Sequence, residues 1–124
     1  MTDWLESSLN GFLAKLGLPM QPWQSSPHLS LQFDGDITCE ISVLDAQLMV
    51  SFLTPIVLSS QTQVLAYLTK MNPVHFQKGQ FFRYHWYQNQ AIVQLNLAHE
   101  EITEIALEQA FTALLNESQT IKAL

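Results

Sequence analysis

From Leu29 to Thr54, apolar residues recur at alternate positions in runs separated by turn signals, and such a chain has to build an antiparallel sheet. Leu29, Leu31 and Phe33 alternate with Ser30 and Gln32. Asp34-Gly35-Asp36 supplies a tight turn. Ile37, Cys39, Ile41 and Val43 then alternate with Thr38, Glu40 and Ser42. After a weaker turn at Asp45-Ala46-Gln47 comes LMVSFLT, residues 48–54, a third strand that is apolar on both faces and ends at Pro55.

A sheet of this kind needs helices to cover its apolar face, and the flanking sequence supplies them. Residues 3–16 place Leu5, Leu9, Phe12, Leu13 and Leu16 on one helical stripe, with Asp3 and Glu6 at capping-box spacing and Gly17 and Pro19 as the stop. Gly11 inside that helix costs about 1 kcal/mol relative to Ala. The Pro-rich segment 19–28 is an irregular connection, from which Trp23 folds back onto the core. A second helix over 61–71 presents Val64, Leu65, Leu68 and Met71, opens on a capping-box pattern at Ser60–Gln63 and closes at Asn72-Pro73. A loop to Gly79 leads into strand 80–88, a turn near Asn89-Gln90 and a strand over 91–97. The last helix spans 99–117, and 118–124 is a frayed tail. The order is α-β-β-β-α-β-β-α, an α+β domain over 1–117 in which helices pack on an antiparallel twisted sheet. The 124 residues suffice for one such core.

Residues 80–88, QFFRYHWYQ, break the alternation of polar and apolar faces. Phe82, Tyr84 and Trp86 share one face, while Phe81, Arg83, His85 and Tyr87 share the other. If the first face packs on the core, the second is an exposed aromatic patch, and such patches mark interfaces. Charge points the same way: only 13% of residues are charged, against roughly 25% in a typical domain. Residues 46–99 contain no acid at all. We therefore expect a dimer interface at Phe81, Arg83, His85 and Tyr87, flanked by Leu65, Leu68 and Met71 of the second helix.

Several classes of chemistry are excluded or disfavoured. The chain has no P-loop, GxGxxG, GxSxG or HExxH pattern, so neither catalysis nor a cofactor is expected. His28, His75, His85 and His99 have no metal-ligand spacing, and Cys39 reads as a small core residue. Lys78-Gly79-Gln80-Phe81-Phe82 approaches the RNA-binding RNP1 pattern but has Gln80 where an aromatic is needed, and a net charge of −6 opposes phosphate backbones, so no nucleic-acid partner is expected. No apolar run spans a bilayer, and Asp3 and Glu6 stand where a signal peptide would be basic; the expectation is a cytoplasmic protein without membrane insertion.

The element order, together with Trp4-Leu5-Glu6, Leu16-Gly17-Leu18-Pro19 and Leu107-Glu108-Gln109-Ala110-Phe111, resembles the class I chaperones of bacterial type III secretion, of CesT/SycE-like fold. Within them it is most similar to the SycN-type subunit that helps chaperone the secretion gatekeeper protein. The resemblance implies a virulence-associated chaperone without catalysis. Such a protein forms a homodimer, or a heterodimer with a similar subunit, and an extended segment of a secreted effector or gatekeeper protein wraps around it. Client binding then calls for an open strand edge and apolar pockets. Leu29, Leu31 and Phe33 of the first strand, Trp4 and Leu5 of the first helix, and Met49 and Leu53 of the third strand are the candidates. Two other readings remain: an interaction domain of the same fold unrelated to secretion, and a small-ligand protein with a site at His75, His85 and Trp86.

Overall fold

The computed structural model describes residues 3–33, 36–71, 74–77 and 80–124, with the backbone alone over 74–77 and at residue 80. Its six strands form a single antiparallel sheet in the order β1-β2-β3-β6-β5-β4. They are β1 (His28–Phe33), β2 (Ile37–Val43), β3 (Gln47–Pro55), β4 (Val74–Gln77), β5 (Gln80–Tyr87) and β6 (Gln90–Ala98). The helices are α1 (Asp3–Lys15), α2 (Gln61–Met71) and α3 (Glu104–Lys122). The sequence expects five strands; the sixth, β4, lies within the segment read as a loop and pairs with β5 through Val74↔Arg83 and Phe76↔Phe81. The proposed turn residues Asp34 and Gly35 fall outside the described residues, as do Asn72 and Pro73.

Register sorts the side chains cleanly between the two faces. Leu31↔Cys39↔Phe52↔Val93↔Tyr84 runs across five strands on one face. Thr38↔Leu53↔Ile92↔His85 runs across the other. All three helices cover the first face. Phe111 of α3 makes edge contacts with Phe12 of α1, Phe33 of β1 and Phe52 of β3 at 5.7, 5.0 and 5.2 Å between ring centroids. This ring cluster joins helix, edge strand and central strand into one core.

Local chemistry explains the element ends. Gly17, at φ +75°, closes α1 in a Schellman motif, with the Leu18 N–H donating to Leu13 O at 2.9 Å and the Gly17 N–H to Ala14 O at 3.0 Å. A Cβ at Gly11 would meet the end of the Glu104 side chain, a flexible and partly exposed group that can swing aside. Lys15 pairs with that Glu104 and with Glu108, at 3.4 and 2.9 Å, along the same α1–α3 seam. Trp23 is fully buried, as expected, and its indole N–H donates to Asn10 Oδ1 at 3.0 Å. The β5–β6 turn is a two-residue hairpin with Gln88 and Asn89 both at positive φ, the geometry that matches strand twist.

The last helix differs from expectation at both ends. A 3-10 turn, His99–Glu101, precedes it, and Thr103 caps it by accepting a hydrogen bond from the Ala106 N–H at 3.0 Å. At its other end the helix continues to Lys122, so residues 118–122 are not a frayed tail. Ser118 and Ile121 extend the buried stripe of Leu107, Ala110 and Leu114 by two further turns and hold the helix down.

Candidate functional site

The face of the sheet that carries no helix is the first candidate surface. Phe81 and Tyr87 are 61% and 60% exposed, while Phe82 and Tyr84 between them are buried. Arg83 and His85 are exposed in the same row. Pairing extends the surface inward: His85 faces Ile92, which faces Leu53, and both aliphatic side chains are half-buried. Met49 belongs to this face too, between Ser42 and Asn96.

The structure thus regroups the expected residues. Met49 and Leu53, which the sequence places with the client-binding set, share a face with Phe81, Arg83, His85 and Tyr87. Leu29, Leu31 and Phe33 point to the opposite, helical face, where Phe33 stacks on Phe52 at 6.2 Å. Their strand pairs with β2 alone, so β1 ends the sheet with one open edge. Of the two α1 residues expected there, Trp4 is 47% exposed, but Leu5 is 1% exposed and belongs to the core. Its place on the buried stripe with Leu9 and Leu13 removes it from any docking surface.

The second helix also divides. Leu68 is buried with Val64 against the core, Met71 is half-buried and Leu65 is partly exposed. Leu68 is therefore a packing residue and not part of an interface. The helix lies on the Tyr84 side of β5, where Tyr67 meets Tyr84 at 6.4 Å. Leu65 and Met71 are therefore carried on the helical side of β5, across the strand from the outward aromatic row.

Three features were not foreseen. Pairing between β5 and β6 stops at Arg83↔Gln94, after which β5 runs with β4 and diverges from β6. The divergence opens a cleft of about 1060 Å³ bordered by Phe81, Arg83, Asn96 and, on α3, Gln109 and Asn116. The second feature is β4 itself. Its signal was the alternation of Val74 and Phe76 ahead of Lys78-Gly79, a hairpin pattern two residues from the aromatic strand. The third is a buried polar cluster: Glu117 is 5% exposed and accepts hydrogen bonds at Oε1 from Tyr84, at 3.1 Å, and from Tyr67.

Burial first, and then the Glu117 carboxylate, raise the ionisation of both tyrosine hydroxyls above the ordinary value of 10.0. A raised folded value means that the native state holds these protons more tightly than the unfolded chain. The stability they contribute is complete below pH about 10, where unfolded tyrosines titrate, and falls as pH rises beyond it. Urea unfolding should show that alkaline loss, and Tyr67→Phe should flatten it. Identical pH profiles for the variant and the parent would contradict the assignment.

The chemistry elsewhere is quiet. Burial pushes the Cys39 thiol up to about 12, which keeps it protonated and unreactive. Among the described residues no three His, Cys, Asp or Glu side chains converge as metal ligands. His85 and Trp86 project to opposite faces of β5, so they cannot line one small-molecule site, and the His75 side chain lies outside the described residues. No helix among the described residues is long and apolar enough to cross a membrane.

Neither a protein-family model nor a curated relative matches the sequence. Solved structures do match the fold. A structure of the Yersinia pestis type III secretion chaperone SycH with a stable fragment of YscM2 superposes at TM-score 0.73, with 18% identity over 94% of this chain and 98% of that one. The ExsC–ExsE complex gives TM-score 0.74, at 14% identity over 100% and 95% of the two chains. The HopA1–SchA chaperone–effector complex gives 0.68, at 11% identity over 98% and 94%.

Proposed function

We propose that this chain, which has the fold of type III secretion chaperones, binds a non-globular segment of a secreted effector or gatekeeper protein and keeps it competent for secretion. It works without catalysis, in the bacterial cytoplasm, as one half of a dimer. The observation that carries the reading is the aromatic row on β5: two rings about three-fifths exposed on a sheet face without a helix. A solitary soluble domain has no use for such a patch, and a second subunit covers it. We assign that interface to Phe81, Arg83, His85 and Tyr87, with Leu65 and Met71 across the strand from them. Structures with this fold include a chaperone bound to a fragment and a chaperone–effector complex, which supports the client class.

The client docks at the opposite end of the sheet. The open edge of β1 supplies main-chain hydrogen bonds, and Leu29, Leu31 and Phe33, with Trp4 on α1, supply apolar contacts. The partner is a second copy of the chain or a similar subunit, the latter as for the SycN-type proteins whose first helix Trp4-Leu5-Glu6 and Leu16-Gly17-Leu18-Pro19 resemble.

Co-expression with the secreted proteins encoded in its genomic neighbourhood, followed by limited proteolysis, tests the assignment. The expected product is a protease-resistant complex containing a client fragment that has no cooperative fold by itself. Recovery of an intact folded domain instead would point to an interaction domain unrelated to secretion.

A further inference from the structure

We propose that the Tyr67–Glu117 hydrogen bond is a latch that holds α2 on the domain, making Glu117 the residue that positions the helix carrying Leu65 and Met71. The inference rests on the dimer reading for its consequence, but not for its structural content.

The argument begins with how little else fastens this helix. Of its eleven residues only Val64 and Leu68 are buried, whereas α3 buries six of nineteen. An eleven-residue helix is marginal without tertiary anchorage. It is led in by a 3-10 turn, Leu58–Ser60, beside which Val57 and Leu58 are 68% and 83% exposed. At the helix start Gln61 Nε2 donates to Ile56 O at 3.4 Å; past that first residue, the side-chain hydrogen bond described from α2 to the rest of the fold is Tyr67 Oη donating to Glu117 Oε1. That acceptor is itself well placed, because Tyr84 Oη, from the sheet, donates to the same oxygen at 3.1 Å. Among the described residues no ion pair involves Glu117. A carboxyl group this deeply buried needs its donors. It is thus a clasp with one arm on β5 and one on α2. Releasing the α2 arm frees the helix while leaving the sheet arm closed.

The two tyrosines separate a latch from general stability. Tyr67→Phe removes the arm on α2; Tyr84→Phe removes a comparable hydrogen bond from the same oxygen but leaves α2 attached. Amide hydrogen exchange resolved along the chain is the readout. For Tyr67→Phe the amides of residues 61–71 should exchange roughly 5- to 30-fold faster, with the sheet core unchanged. For Tyr84→Phe they should stay within about twofold of the parent, any loss appearing in β5. Glu117→Gln, whose amide oxygen still accepts, should retain protection within about threefold. Glu117→Leu, which removes the acceptor of both arms, should speed exchange over 61–71 as Tyr67→Phe does and loosen β5 as well. Unchanged α2 exchange in Tyr67→Phe, or equal acceleration across the whole domain by both tyrosine variants, would overturn the latch. Self-association measured on the same samples reads the consequence separately. If the parent associates neither with itself nor with a co-expressed similar subunit, the dimer reading fails while the exchange data still decide the latch; if it does associate, Tyr67→Phe should weaken association and Tyr84→Phe should not.

Discussion

The double substitution Phe81→Asp and Tyr87→Asp is expected to leave a folded protein that no longer dimerises. Both rings are about three-fifths exposed, so replacing them leaves no cavity in the core. Aromatic anchors at the centre of an interface contribute about 2–4 kcal/mol each, or roughly 30- to 1000-fold in dissociation constant per residue. The aspartates add a second penalty. Residues 46–99 contain no acid, so the new charges would be the first negative groups in this part of the chain, desolvated wherever the partner closes over them. Light scattering at micromolar concentration should give twice the chain mass for the parent, or the mass of a heterodimer with its co-expressed partner, and a single chain mass for the variant. Equal masses for the two proteins would place the interface elsewhere.

Phe52→Ala is expected to cost about 3–5 kcal/mol, a large part of the roughly 5–15 kcal/mol by which a domain is stable. The ring is fully buried on the central strand β3, stacked on Phe33 and edge-on to Phe111. Its loss opens a cavity where the helical layer, the central strand and the edge strand meet, and the midpoint of thermal unfolding should drop by roughly 10–25 °C. Function should fall before the fold does. Phe33 lies on the half-buried edge strand β1, and Phe52 is one of the two rings that hold it in place. Below the unfolding transition the variant should therefore still dimerise but capture client poorly. Circular dichroism melting measures the first effect, and client co-purification the second. A loss of less than about 1 kcal/mol would show that the three phenylalanines do not act as one cluster.

What was legible in the sequence was whatever has a local period. The alternation from Leu29 to Thr54 gave the three-strand meander with the correct faces, and helix α2 begins and ends where its stripe and Asn72-Pro73 put it. The outward row of Phe81, Arg83, His85 and Tyr87 followed from the two-residue period of a strand and is exposed throughout. Short or polar signals were lost. Val74 and Phe76 make too brief an alternation to outweigh the neighbouring Pro73 and Gly79, and Ile121 stands alone among polar residues, so β4 and the last turns of α3 went unread. Non-local placement was lost altogether. Glu117 looks like a solvated helix residue, because the tyrosines that bury it lie 50 and 33 positions away. Leu5 and Leu68 have the same composition as surface anchors, and only packing shows that they face inward. Met49 and Leu53 could not be assigned to a surface until pairing with β6 set them on the same face as β5.

Native mass spectrometry of the protease-trimmed complex with a secreted client tests the central claim most directly. Two chaperone subunits carrying one client fragment, with the fragment unfolded once released, is the predicted result. A single subunit bound to a partner that keeps its own fold after release would contradict it.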